Sequence, residues 1–246
     1  MNGFLIKKGC ATLLVLMALS VISIASFAQF KVLNKGIAGN NTQNLLARLD
    51  NDVIAEKPDL VILMVGTNDM VNSRKMIAYD QLEQNYQQIL QKLRANHITV
   101  VTMSPPAVDT GYLFLRHDPQ SYAEDPNAKI DSLSKIVKKL SKANQSHFID
   151  LHAVFKAAGS PNRTVGSLTV NEANMGLADG IHPTSAGYEL IANTIYTYLQ
   201  ENRLLKKNRK IICFGDSMTY GSFMKGAGTV DGETYPALLK KLIERN

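Results

Sequence analysis

Leu60-Val61-Ile62-Leu63-Met64-Val65, followed at once by Gly66-Thr67-Asn68-Asp69, is the stretch whose reading decides the fold. It is a continuous apolar run of strand length, preceded by Pro58-Asp59 and stopped by a glycine-led polar turn. Such a run suits a strand buried on both faces, the situation inside a parallel sheet, where helices cover each side. Upstream, Leu45, Leu46 and Leu49 form the apolar stripe of a helix that Thr42 can cap. Downstream, Leu82, Tyr86, Ile89, Leu90 and Leu93 mark the inner side of a helix over 79–95. Ile98-Thr99-Val100-Val101-Thr102-Met103 then reads as a second interior strand, halted by Ser104-Pro105-Pro106.

The same alternation continues outward to both ends. Phe30 to Leu33 reads as a short strand entering the loop from Asn34 to Asn41. The segment 104–126 carries turn residues and the exposed-looking aromatics Tyr112, Phe114 and Tyr122, a length usually reserved for functional or mobile loops. A lysine-rich helix over 128–143, a strand from His147 to Asp150 and a short helix opened by Asp150-Leu151-His152 follow. An irregular stretch with Gly159, Pro161, Gly166 and Gly176 leads to Asp179-Gly180-Ile181-His182-Pro183. Tyr188, Leu190, Ile191, Ile195, Tyr198 and Leu199 then stripe a helix to about residue 202, and Lys206-Lys207-Asn208-Arg209 makes a polar linker. Last come a strand from Lys210 to Phe214, the turn Gly215-Asp216-Ser217, a glycine-rich loop and a helix after Thr234. Strands alternating with helices predict an α/β fold whose parallel sheet is covered on both faces.

Composition bounds the function. The 246 residues suit one domain, and 45% hydrophobic with 20% charged residues is ordinary for a folded globular chain. Lys7 and Lys8 precede an apolar run from Ala11 to Ile24 that ends in Ser26-Phe27-Ala28, the layout of a signal peptide cleaved after Ala28. Residues 1–28 are therefore expected to be a leader, 29–246 one domain, and the product secreted or periplasmic without stable membrane insertion. An uncleaved anchor is the rival reading; a spanning helix needs about 20 apolar residues. Cys10 precedes the apolar run and is badly placed for lipid modification. Loss of the two leader lysines lowers the formal charge of +6 without exposing a basic stripe interleaved with aromatics, so no nucleic-acid partner is expected. Cys213 alone would survive cleavage, which excludes an intramolecular disulfide. Neither Cys nor His clusters at metal-ligand spacing, and no metal or cofactor is expected.

In parallel α/β sheets ligands sit at the carboxyl ends of the strands. Four polar clusters fall there: Gly36-Ile37-Ala38-Gly39, Gly66-Thr67-Asn68-Asp69, Asp179-Gly180-Ile181-His182 and Gly215-Asp216-Ser217-Met218-Thr219. Singly each reads as a turn or a surface hydrogen-bonded pair. Together they resemble the blocks of the SGNH (GDSL-type) serine esterases: a Gly-Asp-Ser after a strand, a glycine loop, Gly-x-Asn-Asp and Asp-x-x-His. The resemblance implies a three-layer α/β/α, flavodoxin-like SGNH-hydrolase fold across the chain past the leader. It departs from the family in order, because the Gly-Asp-Ser strand usually comes first and here comes last. Joining Asn246 to Phe30 would restore the usual order, so a circular permutation is expected, with the C-terminal strand inserted between two strands made earlier. A truncated tandem protein is the competing account, and the single full set of blocks disfavours it.

The resemblance also assigns roles. Ser217 is the nucleophile, His182 its general base and Asp179 the group that orients the imidazole; the oxyanion hole comprises the backbone N–H groups of Ser217 and Gly39 and the side-chain amide of Asn68. Pro183 favours an extended backbone at His182 and keeps 179–182 out of the following helix. Asp69, Asp216 and Thr219 read as loop-holding residues, Cys213 as packed, and His97, His117, His147 and His152 as without a partner pattern. The expected activity is hydrolysis of carboxylic esters outside the cytoplasm, chiefly acetyl groups on carbohydrate, with a small-molecule or polysaccharide ester as substrate. The alternatives are a lysophospholipase or thioesterase acting on longer acyl chains, and a carbohydrate-binding relic without turnover.

Overall fold

The computed structural model describes residues 30–205 and 210–245. The proposed leader 1–28, Cys10 within it and the linker 206–209 lie outside the described residues. From the N-terminal side the elements are β1 (Lys31–Gly36), α1 (Thr42–Asp52), β2 (Leu60–Met64) and the one-turn α2 (Thr67–Val71). Next come α3 (Tyr79–Ala95), β3 (Thr99–Met103), the short α4 (Thr110–Leu113) and α5 (Pro126–Ala143). β4 (His147–Ile149), α6 (Leu151–Ala157), α7 (Glu172–Met175) and α8 (Ser185–Glu201) follow. β5 (Lys210–Gly215), α9 (Ser217–Tyr220) and α10 (Tyr235–Glu244) complete the described chain.

All strand pairs are parallel, and the sheet order is β1-β5-β2-β3-β4. β5, last in the chain, thus lies between the first two strands, with Lys31 opposite Lys210 on one side and Leu60 opposite Ile211 on the other. Counted with β5 as the first strand, this order is the flavodoxin-like 2-1-3-4-5. Side chains alternate across each strand, so the sheet feeds two cores. Val61, Leu63, Ile212 and Phe214 pack with Leu45 and Leu49 of α1, Leu82, Tyr86 and Ile89 of α3, and Ile130, Leu133 and Val137 of α5. Leu60, Ile62, Met64, Ile211 and Cys213 face the other way, onto Phe155 of α6, Tyr188, Ile191 and Ile195 of α8, and Tyr235, Leu239 and Ile243 of α10. These are the three layers expected, and every residue of β2 is buried, as its unbroken apolar run requires.

Three local readings need correction. Asn41, not Thr42, caps α1: its side chain accepts from the Asn44 N–H while the Asn44 side chain accepts from the Asn41 N–H. Thr42 is instead drawn to Asp69, which takes both its N–H (3.0 Å) and its hydroxyl (2.5 Å). β1 runs on through Asn34, Lys35 and Gly36, because pairing with β5 continues to Gly36 opposite Gly215. The aromatics of 104–126 are not exposed: Tyr112 is buried beneath the Arg163 guanidinium, 4.2 Å above its ring, and Phe114 and Tyr122 pack edge to face at 5.5 Å.

Candidate active site

The loops after β1, β2, β3 and β5 meet Asp179–His182 around a hollow of about 480 Å³, at the carboxyl edge of the sheet. The Asp179–His182 segment is held from both sides. Val170 donates its N–H to the His182 carbonyl (2.8 Å) and its carbonyl accepts from the Gly180 N–H (2.9 Å), the Asp109 backbone N–H donates to the Gly180 carbonyl (2.7 Å), and Thr169 bridges Pro183 in antiparallel fashion. The segment is thereby kept out of α8, which starts at Ser185, beyond the Thr184 cap.

Within this frame one Asp179 oxygen, Oδ2, accepts from the backbone N–H groups of Ile181 (2.9 Å) and His182 (2.7 Å) and lies 3.0 Å from His182 Nδ1. The other imidazole nitrogen, Nε2, is 2.9 Å from Ser217 Oγ. Burial by itself would raise the Asp179 carboxyl, but hydrogen bonds and charge from His182, with the two backbone N–H groups, outweigh it and hold the group well below the usual carboxylate range. An ionised carboxylate only accepts, so the Nδ1 facing it carries the proton and Nε2 is left to accept from the serine hydroxyl.

Ser217 is the first residue of α9, immediately after β5, where helix N–H groups have no partner inside the helix. The Ser217 and Gly39 N–H groups donate to no protein acceptor among the described residues. Gly39 reaches its position with φ of 75°, a conformation a side chain would strain, and its carbonyl is held by Lys75 Nζ at 2.5 Å. Asn68 is oriented at both ends of its amide. Its Oδ1 accepts from Asn72 Nδ2 (2.9 Å) and its Nδ2 donates one hydrogen to the Asn40 carbonyl (2.9 Å), which leaves the second hydrogen for a ligand. Every residue assigned to the site from sequence therefore reaches one hollow.

Five further residues line the hollow or hold its walls and carried no signal of their own. Arg116 clamps Asp179 from outside, Nη1 on Oδ1 at 2.8 Å and Nη2 on the backbone carbonyl at 2.6 Å. Asn72 orients Asn68. Arg48 ties the ends of β1 and β5 to the loop after β1: it donates to the carbonyls of Lys35 (3.0 Å) and Gly215 (2.9 Å) and to Asn40 Oδ1 (2.8 Å), stacked 4.4 Å above the Phe214 ring. Phe223, with φ of 69°, stands 51% exposed, its ring edge-on to His182 at 5.1 Å, and forms one wall of the hollow. His117 lines the hollow and is 2.8 Å from Ser73 Oγ. Only the length of the 104–126 loop hinted that Arg116 and His117 mattered. As read, Asp216 and Thr219 hold the turn at Ser217, Asp216 Oδ1 accepting from Met218 N–H (3.0 Å) and Thr219 Oγ1 meeting Tyr235 OH (3.0 Å), and Cys213 is packed. His147 and His152 do have partners, Tyr198 OH (3.2 Å) and Asp131 (2.9 Å), and neither lines the hollow.

The parallel three-layer fold with this site at its sheet edge is that of a serine ester hydrolase. The family model described as GDSL-like Lipase/Acylhydrolase matches residues 23–190, and the chain belongs to that family. That span holds Gly39, Asn68, Asp179 and His182, while Ser217 lies beyond it. An acetylxylan esterase of Geobacillus stearothermophilus is 26% identical over 170 residues, 66% of this chain and 68% of that one. An uncharacterized lipoprotein of Bacillus subtilis is 23% identical over 201 residues, 76% of this chain and 79% of its own. Among solved structures, an acetyl xylan esterase named AlAXEase superposes with a TM-score of 0.54 at 26% identity, covering 67% of this chain and 78% of that one. Structures of the Geobacillus enzyme include variants described as catalytic mutants, with an aspartate, a serine or a histidine changed to alanine.

Proposed function

We propose that this ester hydrolase is an exported acetylesterase of acetylated carbohydrate, with Ser217, His182 and Asp179 as its catalytic triad. The observation that carries the reading is the unbroken relay from Asp179 through His182 to Ser217, 3.0 Å and 2.9 Å in its two steps, beside three unengaged N–H donors. Ser217 Oγ attacks the acetyl carbonyl carbon as His182 Nε2 takes its proton, and Asp179 steadies the imidazolium so formed. The tetrahedral oxyanion is met by the N–H groups of Ser217 and Gly39 and by the Asn68 amide, each such donor being worth about 10² to 10³ in rate. Collapse expels the sugar alcohol, which receives the proton from His182. Water, deprotonated by the same nitrogen, then attacks acetyl-Ser217 and releases acetate.

The substrate class is supported by the acetylxylan esterase relatives, and the triad by the Geobacillus enzyme, whose aspartate and histidine changed in catalytic mutants stand three positions apart, as Asp179 and His182 do. Export is supported by the leader pattern of 1–28 and by likeness to a lipoprotein, and no helix among the described residues is long and apolar enough to cross a membrane. We read 29–246 as one domain and the chain as a circular permutant. β5 between β1 and β2, and a family match that stops before the nucleophile strand, favour that reading.

The test is acetate released from acetylated xylooligosaccharides beside a panel of 4-nitrophenyl esters of rising chain length. Ser217→Ala is expected to lower kcat by about 10³ or more with an unchanged fold by circular dichroism. Retained activity in that variant removes the mechanism. Rates that climb steadily beyond about eight carbons, each buried methylene adding roughly 0.8 kcal/mol, turn the assignment toward a long-chain acylhydrolase.

A further inference from the structure

Beside the ester hollow lies a second one of about 610 Å³, walled by Asn72, Arg74, Lys75, Leu115, Arg116 and His117. Asn72, Arg116 and His117 belong to both, so the two are rooms with a common wall. The second room is built from two loops, one after α2 and one after α4, tied together by the Ser73–His117 hydrogen bond (2.8 Å) and by Tyr122 OH donating to the Val71 carbonyl (2.6 Å). Three of its six wall residues are cations and none is acidic. Arg116 spends one face on Asp179 and Lys75 spends its ammonium on the Gly39 carbonyl, but neither Arg74 nor Lys75 has a carboxylate partner among the described residues. The charges converge: after the larger effect of burial, Arg116 and Arg74 both push the His117 imidazole toward its neutral form. Like charges gathered on the rim of a site repel one another, and an anion placed among them removes that cost. Guanidinium groups are suited to the task because their planar fork matches a carboxylate or a phosphate.

We propose that this room is an anion subsite, which takes a carboxylate or phosphate carried by the glycan on, or next to, the acetylated sugar. The inference rests on the acetylesterase reading for the placing of the ester and adds the charge class of the substrate. Chains bearing uronic acids or phosphate groups are preferred over neutral ones, and the preference comes from binding rather than from the chemical step.

The experiment compares an acetylated xylooligosaccharide carrying a glucuronic acid branch, the same oligosaccharide without the branch, a phosphate-bearing acetylated glycan and 4-nitrophenyl acetate. The wild type is measured against Arg74→Glu, a change at an exposed residue outside the proposed triad and oxyanion donors. In low salt the wild type is expected to favour the charged glycans by about tenfold in kcat/KM, mostly through KM, and the gap is expected to close at about 0.5 M NaCl. Arg74→Glu is expected to abolish the preference and leave 4-nitrophenyl acetate turnover unchanged. The larger of the uronate and phosphate effects identifies the group. Equal rates on charged and neutral glycans, or a preference that Arg74→Glu does not alter, overturn the subsite. Titration of Ser217→Ala with the deacetylated glucuronic-acid oligosaccharide and with the deacetylated phosphate glycan separates this from the esterase assignment. Heat of binding lost in the Ser217→Ala, Arg74→Glu double variant supports the subsite even if acetate is never released, and no binding of either anionic glycan overturns it even if acetate is.

Discussion

Asp179 shows how much a single side chain can be asked to do. One oxygen serves His182 and two backbone N–H groups, the other is taken by Arg116, so the carboxylate has no freedom to turn away from the imidazole. Arg116 is accordingly a positioning residue. On 4-nitrophenyl acetate, which offers nothing to the cationic room, Arg116→Ala is expected to lower kcat about tenfold with KM nearly unchanged, since the base rather than binding is disturbed. Arg116→Lys, which cannot span both acceptors, should recover only part, and a change confined to KM would contradict this role. Asp216 is the opposite kind of carboxyl. Burial dominates over its hydrogen bond from Met218 and the pull of His182, and pushes it up from 3.8 to about 7. The folded protein therefore keeps a proton that the unfolded chain has released, so this group's contribution to stability is full below about pH 4 and is lost as pH climbs to about 7. Asp179, whose value is lowered, works in the other sense and loses its contribution as pH falls through its depressed folded value. Asp216→Asn should gain in Tm relative to the wild type as pH rises from about 4 to 7.5, the window set by that raised carboxyl. A difference that stays constant across the window would exclude the assignment.

At the scale of elements, the site depends on how closely strand ends approach one another. Gly36 and Gly215 are opposite each other at the ends of β1 and β5, where α9 turns back over the sheet. A Cβ on Gly215 would fall 2.2 Å from both the Met64 carbonyl and Thr219 Oγ1. Gly215→Ala must therefore push α9 off the sheet, at a cost of about 1–3 kcal/mol for overpacking. A lower urea midpoint is expected together with lost esterase activity, because Ser217 rides on α9; an unchanged midpoint would show that the turn has room. The helices were largely legible beforehand. α3 occupies the expected span, α10 starts where expected, after Thr234, and α5 and α8 differ from expectation by a residue or two, because long amphipathic stripes state their period plainly. The miss at Asn41 has a simple cause: Asn and Thr are both good caps, and the choice went to the residue left over once Asp69, distant in sequence, had claimed Thr42.

For the molecule as a whole, the unusual feature is that an interior strand of the sheet, β5, comes last among the described strands. β5 pairs with β1 and β2 across well over half of the chain, and contacts so far apart in sequence slow folding. A rearranged chain that starts at Lys210, passes from Asn246 through a short Gly-Ser linker into Phe30 and ends at Leu205 tests the permutation directly. It is expected to fold, to hydrolyse 4-nitrophenyl acetate at a rate within a few-fold of the parent, and to refold faster in stopped-flow measurements, because β5 and β1 would then be close in sequence. A rearranged chain that stays unfolded would count against the permutation.

Sequence alone determined the alternation of strands and helices, the four polar clusters and, through their resemblance to a family, the members of the site. Apolar period and turn chemistry are local properties that adjacent residues express together. Tertiary structure alone decided where β5 lies, which loops share a wall, and that Arg48, Asn72, Arg116, His117 and Phe223 gather around the candidate site. Those facts depend on side chains brought together from strand ends far apart in the chain. An arginine in a loop reads the same whether it ends beside Asp179 or in water, and only the packed sheet distinguishes the two.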